Sequence, residues 1–125
     1  MIPVKLTRDE ARAVQQYFFL FLDQLSSYKL KYADTEEERL QQYLILDQYD
    51  QVKKLFEKKL LGTSNSLLFN FTDSQAIILH KLLLNLPIEA KDVYLVSLRI
   101  LICNLIYAQI TEILFTREKE LVPMV

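Results

Sequence analysis

Phe69-Asn70-Phe71-Thr72-Asp73-Ser74-Gln75-Ala76 is the stretch on which the fold turns. Its first residues alternate apolar and polar, the period of a half-buried strand, and Thr72 stands three residues before Gln75, the spacing of a capping box. The threonine hydroxyl accepts the Gln75 amide while the Gln75 side chain returns to the threonine amide. The chain is therefore predicted to leave an extended segment and enter a helix at this point. Val4-Lys5-Leu6-Thr7, followed by Glu10-Ala11, reads the same way near the other end. Two readings fit this echo. Either the protein is two strand–helix–helix units whose strands, about 2–6 and 67–71, pair and tie the unit starts together, or two common capping boxes coincide.

Outward from these caps, four helices are predicted. Thr7 opens the first, over about 8–32, with Ala11, Val14, Phe18, Phe21, Leu22 and Leu25 recurring at three- and four-residue steps on one face. Tyr28 and Tyr32 continue that face, and Phe19, Leu20 and Leu30 fall on the polar side. Thr35 with Glu38 makes a third box and starts a helix over about 35–61. Ile45, Tyr49, Val52, Phe56 and Leu60 form its buried stripe, Asp50 and Lys54 are spaced to pair on its charged face, and Tyr43 and Leu46 lie off the stripe. Gly62 follows the last turn, where a left-handed glycine commonly ends a helix. The third helix, about 73–86, stops before Pro87, because proline restricts the residue before it. The fourth covers about 89–115 and gives way to a mixed tail from Arg117 to Val125. Together these predict one all-α domain over 1–125: a four-helix bundle of two antiparallel hairpins, with the short β pairing as an addition.

The fourth helix is apolar on nearly every side. Val93, Val96, Ile100 and Cys103 cover one side of the wheel, and Leu95, Leu98, Ile102, Leu105 and Ile106 cover most of the other. It is long enough to span a bilayer, but Arg99 and Glu112 lie inside it with Asn104 and Gln109 between them. A mid-span charge costs on the order of 3 kcal/mol, so no membrane span is expected. A helix buried on several sides is expected instead. Helices that each offer one stripe leave part of this one uncovered, which predicts a homodimer. The predicted interface takes in Leu95, Leu98, Arg99, Ile102, Leu105 and Ile106, with Phe19, Leu20, Tyr43 and Leu46 pointing away from their own helices' stripes. Arg99, a charge inside an apolar helix, calls for a partner, and a carboxylate is the expected one.

Composition limits the chemistry. Among 125 residues there is one glycine, one histidine and one cysteine, with 15 basic and 16 acidic side chains. One glycine cannot build a phosphate-cradling loop, and one His with one Cys cannot build the usual zinc sites. No glutamate precedes His80 by three residues, as a di-iron helical bundle requires. The near-balanced charge supplies no field for nucleic acid. No cofactor, metal or catalytic residue is expected. His80, at the margin of its helix's apolar arc, is read as boundary packing rather than as a general base, which needs a reachable pocket and an orienting partner. Cys103 reads as a small buried hydrophobe. The charged start of the chain and the lone cysteine point to a cytoplasmic, reducing setting. The expected function is non-enzymatic: self-association and contact with another protein. Binding of an apolar small molecule between the helices is the alternative.

Overall fold

The computed structural model describes residues 1–31 and 34–121, with side chains at 1–25 and 34–112. Tyr28, Leu30, Tyr32 and the end of the tail lie outside the described side chains. The chain is mostly helical, with one two-stranded antiparallel sheet.

β1 (Ile2–Thr7) pairs with β2 (Ser66–Phe71) in the register Ile2↔Phe71, Val4↔Phe69 and Leu6↔Leu67. Val4 thus faces Phe69, its own counterpart in the echoed motif, and a local twofold passes through that pair. The alternation holds on both strands: Ile2, Val4, Leu6, Leu67, Phe69 and Phe71 all point inward and are buried. A two-stranded ribbon alone is marginal in water, so this apolar face must be covered by helices.

Both strands run straight into capped helices. Thr7 accepts from the Glu10 amide and Thr72 from the Gln75 amide, and each box is closed by the return bond from the Glu10 or Gln75 side chain. At the third box Thr35 accepts from Glu38, but the Glu38 carboxylate reaches past the cap to the Asp34 amide.

The first helical rod consists of α1 (Arg8–Ala13), a π-helical segment (Val14–Phe19) and α2 (Leu20–Lys31). A π turn accommodates an extra residue, so the wheel assumed for a regular helix loses phase there. Phe19 turns inward beside Phe18 and Leu22, while Phe21 turns outward. This reverses the predicted positions of Phe19 and Phe21. The next helix, α3 (Glu36–Leu60), buries Tyr49, Val52 and Phe56. Asp50 pairs with Lys53 at 3.5 Å, one residue short of the Lys54 partner predicted, because Lys53 is drawn to that side by Asp23 at 2.9 Å. Leu61 closes α3 in right-handed geometry, and Gly62 does not adopt positive φ, so the glycine stop is not the left-handed cap expected. Arg8 ties this corner to the sheet, donating to the Leu60 carbonyl at 3.0 Å and the Ser64 carbonyl at 2.8 Å.

α4 (Asp73–Leu84) ends at Asn85, two residues before Pro87. A turn over 89–92 then delays α5 (Val93–Leu121), with the Asp92 amide donating to the Glu89 carbonyl. The last helix starts later than predicted and continues through part of the segment expected to be irregular. α3 packs on α2 and α4, and α4 on α5. α5 also lies along β1, where the Gln109 amide donates to the Pro3 carbonyl at 2.9 Å.

The core forms where the sheet meets the helices. Phe56 stacks on Phe69 at 4.2 Å between centroids and takes Phe19 edge-on at 4.9 Å. Each such ring contributes about 1.5–3 kcal/mol on full burial.

Candidate functional site

The two sides of α5 differ in their surroundings. Leu98, Ile102, Cys103 and Ile106 are buried against the rest of the chain, with Leu95 and Ile110 packed partly behind them. On the opposite side Val93, Tyr94, Ile100, Leu101, Leu105 and Tyr107 are exposed, as are Ser97, Asn104, Ala108 and Thr111. Among the described residues from Val93 to Thr111, none of these outward positions is charged. The contrast with α3 is sharp, since its exposed positions include Glu36, Glu37, Asp47, Asp50, Lys54 and Glu57. A helix exposed on a solvent face normally carries such charges. Over Val93–Glu112 α5 is long and apolar enough to cross a membrane, and only 22 % of its most apolar window is buried within the chain.

Of the two charges inside α5, Arg99 is turned away from this face, and Glu112, which is exposed, lies just past its Thr111 end. The Arg99 guanidinium donates to the Leu86 carbonyl, in the connection just past the Asn85 cap of α4. A backbone oxygen thus replaces the carboxylate predicted. Burial pushes the Cys103 thiol up, and the nearby Arg99 charge offsets this only in part, so Cys103 stays a neutral thiol. His80 stacks on Tyr107 with centroids 5.8 Å apart. By helical spacing Ile77 and Leu84, both exposed, lie one turn to either side of His80, so α4 extends the apolar face sideways.

The predicted interface residues separate into groups. Phe19, Leu98, Ile102 and Ile106 are buried in the chain's own core, and Leu46 and Leu95 pack partly buried against it. Arg99 is half-buried at the α4–α5 corner. Leu20, Tyr43 and Leu105 are exposed. Of these, only Leu105 borders the uncharged face; Leu20 and Tyr43 sit on the first rod and on α3. Ile100 and Ile102 show the inversion most clearly, at 53 % and 1 % exposure. Wheel projection finds apolar residues on both sides of α5 and does not say which side meets the sheet. Ile100, Leu101 and Tyr107 were missed for that reason, and Ile77 and Leu84 of α4 because nothing in the sequence places them beside α5. The available signal for the α5 residues was the absence of charge along one line of the helix.

Polar groups elsewhere are occupied with holding the rods together. The Tyr49 hydroxyl shares its one proton between two acceptors, the Phe19 carbonyl at 2.9 Å, within the π segment, and Asp23 at 2.8 Å. Burial and then the Asp23 carboxylate push that hydroxyl well above its usual range. Gln75, 8 % exposed, donates to Gln51 at 3.0 Å across α4 and α3. Tyr94 lies near the first turn of α1, and desolvation with the charges of Glu10 and Asp9 raises its hydroxyl too. Among the described residues no three His, Cys, Asp or Glu side chains are grouped to hold a metal. One cleft, of about 250 Å³, opens between the π segment and the α4–α5 connection, walled by Tyr17, Phe21, Pro87 and Leu95 with Glu89 and Asp92 at its rim.

No family model, curated protein or solved structure matches the chain.

Proposed function

We propose that this protein is non-enzymatic and works by association, as a cytoplasmic homodimer closed through the outward face of α5, with remaining apolar surface available to another protein. The observation that carries this reading is the uncharged face running from Val93 to Thr111 beside Ile77 and Leu84. Contiguous exposed apolar surface of this kind marks an interface. A membrane span fits less well, because the other half of the same helix holds Leu98, Ile102 and Ile106 in the chain's own core. Drawing α5 into a bilayer would expose that core and the sheet beneath it. In the dimer the four rods form a bundle of two hairpins, with the partner covering the side of α5 that its own chain leaves open.

The test is sedimentation velocity across a wide concentration range. A dimer that dissociates only on dilution is expected, and a monomer at every concentration contradicts the reading.

The cleft beside Tyr17 and Phe21 supports a second reading, an apolar small-molecule site, because its aromatic walls and modest volume fit a compact ligand. A solvatochromic apolar dye should then gain fluorescence with the wild-type protein and lose that gain on Phe21→Asp. Equal fluorescence from both proteins removes this reading.

A further inference from the structure

The outward face of α5 has a pattern of size and polarity that matches itself when reversed. Ser97 and Thr111 stand seven residues to either side of Asn104, which places all three on one line of a heptad-paired helix. Ile100 and Leu101 occupy one side of Asn104, and Tyr107 and Ala108 the other. When a second copy is turned end over end about Asn104, Ser97 meets Thr111 and Asn104 meets Asn104. Ile100 then falls opposite the small Ala108, and Leu101 opposite Tyr107. In a parallel pair Tyr107 would meet Tyr107 while Ala108 met Ala108, crowding one level and leaving a void at the next.

Building on the self-association proposed above, we infer that α5 pairs with α5 of a second copy of this chain in antiparallel direction, with the twofold axis through Asn104. Such a contact is isologous and closes at two subunits. No outward charge lies between Val93 and Thr111, and the exposed Glu112 just beyond falls opposite Val96 of the other copy rather than opposite itself, so identical faces approach without like-charge repulsion. Each Asn104 carboxamide carries both donors and an acceptor, so two of them satisfy each other at the axis. A single buried Asn also fixes register in paired helices.

The same groups argue for a helix over a lipid surface. Hydroxyls and amides recurring along the middle of the face would be left unpaired among acyl chains. Among the described residues, neither basic side chain at this face is free to reach anionic headgroups: Arg99 is turned to the Leu86 carbonyl, and Lys91 is ion-paired with Glu89 at 3.0 Å.

Directed disulfide trapping tests the geometry. On a Cys103→Ala background confirmed as folded by circular dichroism, Ser97→Cys, Asn104→Cys and Thr111→Cys are oxidised with copper phenanthroline and run on non-reducing gels, alongside sedimentation of each reduced protein. Asn104→Cys should convert to a covalent dimer. Ser97→Cys and Thr111→Cys should each stay monomeric on the gel, yet cross-link when mixed. Cross-linking of all three variants alone means a parallel pair and overturns the inference. A sedimenting dimer with no cross-link at any position also overturns it, while leaving self-association through another surface. A monomer by sedimentation overturns both this inference and the reading on which it rests.

Discussion

Ile100 and Ile102 stand two residues apart on α5 with the same side chain and opposite surroundings. Ile102→Asp places an unpaired carboxylate in the core, a cost of several kcal/mol against a total stability of about 5–15 kcal/mol. Far-UV circular dichroism should show a largely unfolded chain or a greatly lowered melting temperature. Ile100→Asp should keep the helical spectrum but lose the dimer. Its melting temperature should then no longer rise with protein concentration, as that of an associating protein does. If both variants unfold, the assignment of faces is wrong. Tyr49 is the residue where pH enters. Its hydroxyl is held neutral in the fold by burial and then by Asp23, so its folded pKa lies above the unfolded value of 10.0. A raised pKa contributes stability that is complete below the unfolded value and is lost as pH rises beyond it. Lys53, also raised because the bond and charge of Asp23 and the charge of Asp50 outweigh desolvation, acts in the same direction. Urea denaturation should show wild-type stability falling more steeply above pH 10 than that of Tyr49→Phe. At neutral pH Tyr49→Phe should cost about 1–2 kcal/mol for the hydrogen bonds lost.

At the scale of elements, the three capped starts and the buried stripe of α3 were legible, whereas the start of α5 and the phase of the first rod were not. Thr7, Thr35 and Thr72 announced their helices because capping is local chemistry, completed within three residues of chain. The strand pair was legible as a possibility, from alternation and the repeated cap, and the structure supplies its register. What the sequence could not reveal depends on distant partners. The π segment shifts Phe19 inward, where its carbonyl meets Tyr49, 30 residues away in sequence. The face of α5 that becomes buried is set by β1 and α4, and Gln109 reaching Pro3 is part of that choice. The ends of helices were misread where a turn, such as that over 89–92, competes with continued helix. Two substitutions probe the elements. Thr72→Ala removes a cap that links β2 to α4 and should cost about 1 kcal/mol in thermal or urea unfolding. Gly62→Ala should be neutral or stabilise by about 0.4–1 kcal/mol, because its backbone does not require glycine and an added Cβ meets only the Lys59 carbonyl, at 3.6 Å. A clear loss of stability on Gly62→Ala would contradict the right-handed end of α3.

For the whole molecule, the same helix serves two purposes. Its inner half completes the core over the sheet, and its outer half carries no charge from Val93 to Thr111. That division explains why the sequence of α5 resembles a membrane span in length and apolarity while its inner residues are locked into a folded domain. It also explains why four of the ten interface residues suggested by the wheel lie buried inside the chain: the wheel identified an excess of apolar surface but not the side left over. The association proposed for this face is most directly measured by the mass of the protein in solution. Sedimentation equilibrium of the wild-type chain beside Ile100→Asp should give twice the single-chain mass for the first and the single-chain mass for the second. A wild-type monomer at all concentrations, or an Ile100→Asp variant that dimerises as tightly as wild type, would contradict the role assigned to this face.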